Sequence, residues 1–159
     1  MKILKNSKKA YTLIEMLMVV AIIGVLASSI LVGLSGTRAK ARDSRRITDL
    51  KSVQTALELY YSKYNVYPSR TVGSNETWTW AELTDILTSS ETGIQVSKLP
   101  KDPLSGSGRN YFYATNGQNY VLGASMETKD QSLDDDLDGQ QLGADCGQEI
   151  GDTIYCVSL

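Results

Sequence analysis

The run from Tyr11 to Leu34, YTLIEMLMVVAIIGVLASSILVGL, limits what this chain can become more than any other stretch. It is 24 residues long and carries one side chain charged at neutral pH, Glu15. As a helix rising about 1.5 Å per residue it would measure roughly 36 Å, enough to cross a bilayer. A carboxylate in lipid costs about 2.5–3.5 kcal/mol and usually needs a partner, so Glu15 asks for more than an anchor's role. The plainer alternative is that Glu15 lies near the helix end and reaches the headgroups. Upstream, MKILKNSKKA holds Lys2, Lys5, Lys8 and Lys9 and no acid.

KKA followed by YTLIEMLMVVAIIGVLA resembles the processing and methylation motif of type IV prepilins and type II secretion pseudopilins. The family more often has Gly before the cut and Phe after it; here Ala10 and Tyr11 stand there. The resemblance implies that a prepilin peptidase cleaves between Ala10 and Tyr11 and methylates the new amine of Tyr11. It also implies that Glu15, one helical turn on, pairs with the N-terminal amine of a neighbouring subunit during assembly. The implied partners are that peptidase, an inner-membrane assembly platform with its ATPase, and copies of the chain itself as a helical homopolymer. The implied location is the inner membrane, single-pass with the head outside the cytoplasm, and then a periplasmic or extracellular filament.

The whole chain has 16 basic and 18 acidic residues; without the four leader lysines the balance is 12 against 18, a net charge of −6. Such an acidic head does not indicate a nucleic-acid binder. Histidine is absent, which excludes a His-based triad, a His-ligated metal and a Cys/His nucleophile. No base, nucleophile and pocket pattern emerges, so the expectation is a protein that is not an enzyme.

Between Arg38 and Arg46 five bases stand against Asp43, a cluster of +4. Positive charge thus flanks both ends of the apolar run, and the positive-inside rule does not orient it. The cluster reads as headgroup contact and a solvated helix face; a sharper expectation is contact with acidic heads of adjacent subunits. Ile47, Leu50, Val53, Leu57, Tyr60 and Tyr64 follow at spacings of 3 and 4, a narrow helical stripe. No proline interrupts 11–64, so one helix of about 54 residues is expected, ended by Tyr67-Pro68. Gly24, Gly33 and Gly36 are its weak points. SRTVGSNET reads as a loop, Thr79 and Glu82 as a capping box for a short helix, and Trp78 and Trp80 as core rather than a stacking platform. Asn116-Gly117 marks a hairpin, and Thr153–Val157 a last strand. The fold class is α+β, pilin-like. A leader (1–10) precedes a membrane and filament-core helix (11–34), its amphipathic continuation (35–66) and a head (67–159) with an antiparallel sheet. The KDP, YFY and YVLGA order resembles the head of major pseudopilins.

Nine acids crowd Glu127–Asp152 against Lys129 alone. Asp134, Asp136 and Asp138 alternate before Gly139, with Asp145 eleven residues after Asp134; the carbonyl of Gln140 takes the seventh place of a calcium loop. Ca²⁺ is therefore the expected cofactor, with a merely solvated acidic loop as the alternative. Some pilins and pseudopilins bind calcium in their C-terminal loops. Cys146 and Cys156, the only cysteines, read as a disulfide in an exported chain and as two free thiols in a reducing compartment. The resulting function is a structural subunit of a type IV pilus-class filament, pilus or secretion pseudopilus. The competing reading is a monomeric, membrane-tethered calcium- or ligand-binding module.

Overall fold

The computed structural model describes residues 11–94, 96–129, 133, 135–147 and 153–158, with backbone alone at 29–35. Two compact units divide the chain, Met1–Arg38 and Ala39–Leu159. Helix α1 (Leu13–Tyr64) is 52 residues long and runs through all three weak glycines. It ends at Tyr64, the expected last residue and short of Tyr67-Pro68. Asn65 adopts φ +55°, and its N–H donates to Tyr61 O at 2.7 Å. Asparagine tolerates this left-handed conformation and stops the helix as glycine commonly does.

In the second unit, one face of α1 buries Leu50, Val53, Ala56 and Leu57. Tyr60 is only partly buried and Tyr64 is 39 % exposed, so the apolar stripe fades toward the helix end. The buried stripe also extends backward, to Arg46 and Asp43. Residues 43, 46, 50, 53 and 57 keep the spacings of 3 and 4, which places both charged groups on the inward face.

The sheet has four antiparallel strands in the order β1–β2–β3–β6: β1 (Glu76–Trp78), β2 (Phe112–Thr115), β3 (Tyr120–Ser125) and β6 (Ile154–Ser158). Strand β1 falls partly in SRTVGSNET, expected to be a loop. Three residues are too few to show a period-two pattern, and β1 is an edge strand held by β2 alone. The β2–β3 hairpin closes through Asn116–Asn119, where the Asn116 side chain accepts from the Gln118 and Asn119 N–H groups. Residues of β3 alternate between two cores. Tyr120, Leu122 and Ala124 join the α1 side, and Val121 joins Cys146 and Cys156 on the other. Gly123 faces Phe112 across the ladder, and a Cβ there would lie 2.0 Å from the Phe112 ring.

Helix α2 (Trp80–Thr88) starts at the expected capping box, with Thr79 as N-cap and Glu82 reaching back to it. Trp78 is core at 7 % exposed, whereas Trp80 is only partly buried. Leu137, Leu142 and Ile154 cover the second core, together with the Cys146–Cys156 disulfide. Closing that loop, ten residues apart in sequence, stabilises the fold by about 2.5–3 kcal/mol on the chain-entropy model.

Candidate functional site

The first unit offers an apolar helix surface. From Tyr11 to Ser28 every side chain is exposed, with Leu13 at 78 % and Val20 at 67 %. Such a contiguous apolar face needs lipid or protein cover. Among the described residues no helix is long and apolar enough to cross a membrane. The side chains of residues 29–34, which complete the apolar run, lie outside the described set, as does Ala10.

At the start of α1, TLIE forms a capping box. Thr12 N–H and Thr12 Oγ1 donate to Glu15 Oε2 at 2.9 and 2.8 Å, and Glu15 N–H donates to Thr12 Oγ1 at 3.4 Å. This capping role adds to the two readings of Glu15 from sequence, pairing with an amine or reaching the headgroups, and its signal is the T-x-x-E spacing of Thr12 and Glu15. The cap holds the carboxylate at the helix N-terminus, where the macrodipole favours an anion. Both of these hydrogen bonds reach Oε2, which leaves Oε1 able to accept from an ammonium group brought by another chain.

The second unit contains a buried ionic cluster. Arg46 is fully buried; its Nε donates to Asp102 Oδ2 at 2.7 Å, and its Nη1 donates to Asp43 Oδ1 at 2.6 Å and to Glu127 Oε1 at 2.8 Å. Arg42 Nε also donates to Glu127 Oε1, at 2.7 Å. Asp43 in turn accepts from the N–H groups of Glu127 and Thr128. Burial alone would lower the Arg46 pKa, but its hydrogen bonds to Asp102, Glu127 and Asp43 raise it above the ordinary value. The hydrogen bond from Arg42, with help from Arg46, holds Glu127 at about 2. Two members of the supposed surface cluster therefore lock α1 to the residues around Asp102 and Glu127. Arg38, Lys40 and Arg45 remain exposed, Arg45 lying 3.7 Å from Asp49.

The expected calcium loop has Asp134 outside the described residues. Downstream, β4 (Gln140–Gln141) and β5 (Ala144–Asp145) form a tight hairpin that pairs Gln140 with Asp145. Its two turn residues, Leu142 and Gly143, have φ of +53° and +88°, the twist that two-residue hairpins require. Asp136 Oδ2 accepts from Cys156 N–H at 2.7 Å, and Asp145 Oδ1 accepts from Gly147 N–H at 3.0 Å. Asp138 contributes its backbone carbonyl to Gln141 Nε2. Among the described residues no three acidic side chains converge as a metal site.

The family model for the prokaryotic N-terminal methylation motif matches residues 5–31. The type II secretion system core protein G of Vibrio cholerae serotype O1 is 31 % identical over 151 residues, covering 92 % of this chain and 92 % of its own. The chain belongs to the type II secretion core protein G family. Its counterpart in Escherichia coli strain K12 is 25 % identical over 134 residues, 83 % of this chain and 90 % of that one. That of Aeromonas hydrophila is 28 % identical over 99 residues, 62 % of this chain and 69 % of its own. No solved structure matches.

The matched motif covers both Tyr11 and Glu15. The apolar helix face and the Thr12–Glu15 cap thus lie in the part matched by the methylation motif, whereas the buried Arg46 cluster belongs to the head unit.

Proposed function

We propose that this pseudopilin is a structural subunit of a type II secretion filament, stored in the inner membrane through Tyr11–Leu34. The observation that carries this reading is the V. cholerae core protein G match along nearly the whole chain, beginning with a methylation motif. A prepilin peptidase cuts between Ala10 and Tyr11 and methylates Tyr11. An inner-membrane platform with its ATPase then extracts the subunit. In the filament, apolar faces of neighbouring helices cover one another in place of lipid, and Glu15 sets register against the incoming amine. The relatives' names favour the secretion branch over an adhesive or motility pilus.

The test is mechanical shearing of cells that express the chain with a complete type II secretion machinery. The expected result is the mature chain in the sheared filament fraction. A chain found only in membranes, with the machinery intact, contradicts the proposal.

Calcium remains part of the reading on the D-x-D-x-D-G spacing of 134–139 and on Gly139, whose φ of +76° gives the sharp turn such a loop needs. Residues Asp134, Asp136, Asp138, Gln140 and Asp145 would hold the ion. The full-length chain should gain melting temperature with Ca²⁺ and not with Mg²⁺, and Asp138→Ala should abolish the gain. Asp138 is the informative choice because Asp136 already supports the Cys156 N–H, so replacing it weakens the fold whether or not metal binds. Equal melting temperatures with and without Ca²⁺ leave a solvated acidic loop.

A further inference from the structure

A cleft of about 560 Å³ opens beside α2, lined by Trp80 and Asp85 of the helix, Lys101 and Ser105 of the following segment, and Asn110 and Tyr111 just before β2. Its volume falls in the range of small-molecule sites. We infer that this cleft binds a neutral oligosaccharide, the indole of Trp80 stacking on a pyranose ring while Asp85, Lys101 and Asn110 hydrogen-bond its hydroxyls. The inference is independent of the assembly role, which uses the first unit.

Three observations carry it. The first is that the platform is rigid. Trp80 Nε1–H donates to Pro100 O at 2.8 Å, and the Tyr111 ring meets Trp80 edge-on at 5.1 Å and 71°. Tyr111 is itself fixed by its hydroxyl, which donates to Asp49 Oδ2 at 2.8 Å. A ligand packing on such a surface finds it already ordered, which lowers the entropy cost of binding. Trp80 also differs from Trp78: it stays partly exposed and lines a cleft, where the sequence suggested core for both.

The second observation is the set of uncommitted polar groups. The side chains of Asp85, Lys101 and Asn110 make no hydrogen bond or ion pair with any described residue, although all three line one cleft. Asp102, which also lines it, is committed to Arg46 and to the Leu104 N–H. The third is charge. Asp85 and Lys101 oppose each other in sign, so the cleft selects for neither an anion nor a cation. Together with the Asn110 amide they offer donors and acceptors side by side. A sugar hydroxyl is both donor and acceptor and uses such a set fully.

The test is intrinsic fluorescence of the full-length chain in a detergent without a sugar headgroup, titrated with cellotetraose and with chitotetraose. The chain has two tryptophans, and only Trp80 borders the cleft, so a saturable change in emission reports occupancy. Asp85→Ala and Asn110→Ala replace exposed residues outside the core and should each weaken binding about tenfold, the loss of roughly one net hydrogen bond. Circular dichroism of each variant checks that the fold is kept. Two results overturn the inference: no saturable change with either sugar, or a change that both variants leave untouched. Reduced filament yield in both variants without sugar binding also overturns it, and identifies the cleft as a contact between subunits.

Discussion

Arg46→Ala is expected to destabilise the head by about 3–5 kcal/mol, the cost of removing one partner from a buried ionic group. Without its guanidinium, the carboxylates of Asp43, Asp102 and Glu127 face each other around a void. For a unit of this size the melting temperature should fall by roughly 10 °C or more. Arg46→Lys should recover little, since a single ammonium cannot replace a fork that reaches three carboxylates at once. Arg45→Ala, one residue away but exposed, should change stability by less than about 0.5 kcal/mol. Thermal unfolding followed by circular dichroism separates these outcomes. A small loss for Arg46→Ala would mean the cluster contributes little.

The same cluster sets an acid limit. Glu127 is held at about 2 in the fold, below its ordinary 4.5. A lowered carboxylate stabilises fully above its unfolded pKa, and the contribution is lost as pH falls through the folded value. Stability should therefore decline as pH drops from 4.5 toward 2, and Glu127→Gln should flatten that part of the profile.

Glu15→Ala is expected to abolish filament assembly while the chain accumulates normally in membranes. Removing the carboxylate relieves a cost of burial in lipid, so insertion does not suffer. In the proposed assembly, what is lost is the acceptor for a neighbour's methylated amine. Quantifying sheared filaments against membrane-bound chain measures both effects. Normal filament yield would instead favour a monomeric tethered module, in which the helix serves only as an anchor. Thr12→Ala is a useful companion, because it removes the hydroxyl that bonds Glu15, keeps the backbone N–H bond to Glu15 Oε2 and leaves the charge in place.

Much of this molecule was legible as local signals. The continuous helix over 13–64 followed from unbroken apolar periodicity without proline, and α2 from a capping box two residues after Thr77. Asn116-Gly117 marked the hairpin, and of the two readings of the cysteine pair the structure holds the disulfide. What escaped was of two kinds. Some signals were present but assigned a different role: Thr12 and Glu15 form a cap, and Asp43 and Arg46 continue the buried phase of Leu50, Val53 and Leu57. Charge suggested solvent there, while position along the helix dictated burial. Other features depend on partners distant in sequence. Asp102 and Glu127 meet Arg46 from 56 and 81 residues away, and β1 exists only because β2 lies beside it. The β4–β5 hairpin shares residues with the calcium-loop spacing, and one sequence pattern served two readings.

A pseudopilin must be processed before it assembles, and intact mass with N-terminal sequencing of the chain from native membranes reads that step. The expected result is a chain that begins at Tyr11 with a methylated amine. A chain that still begins at Met1 would contradict the account: without a free amine at Tyr11 there is nothing for Glu15 of a neighbour to pair with.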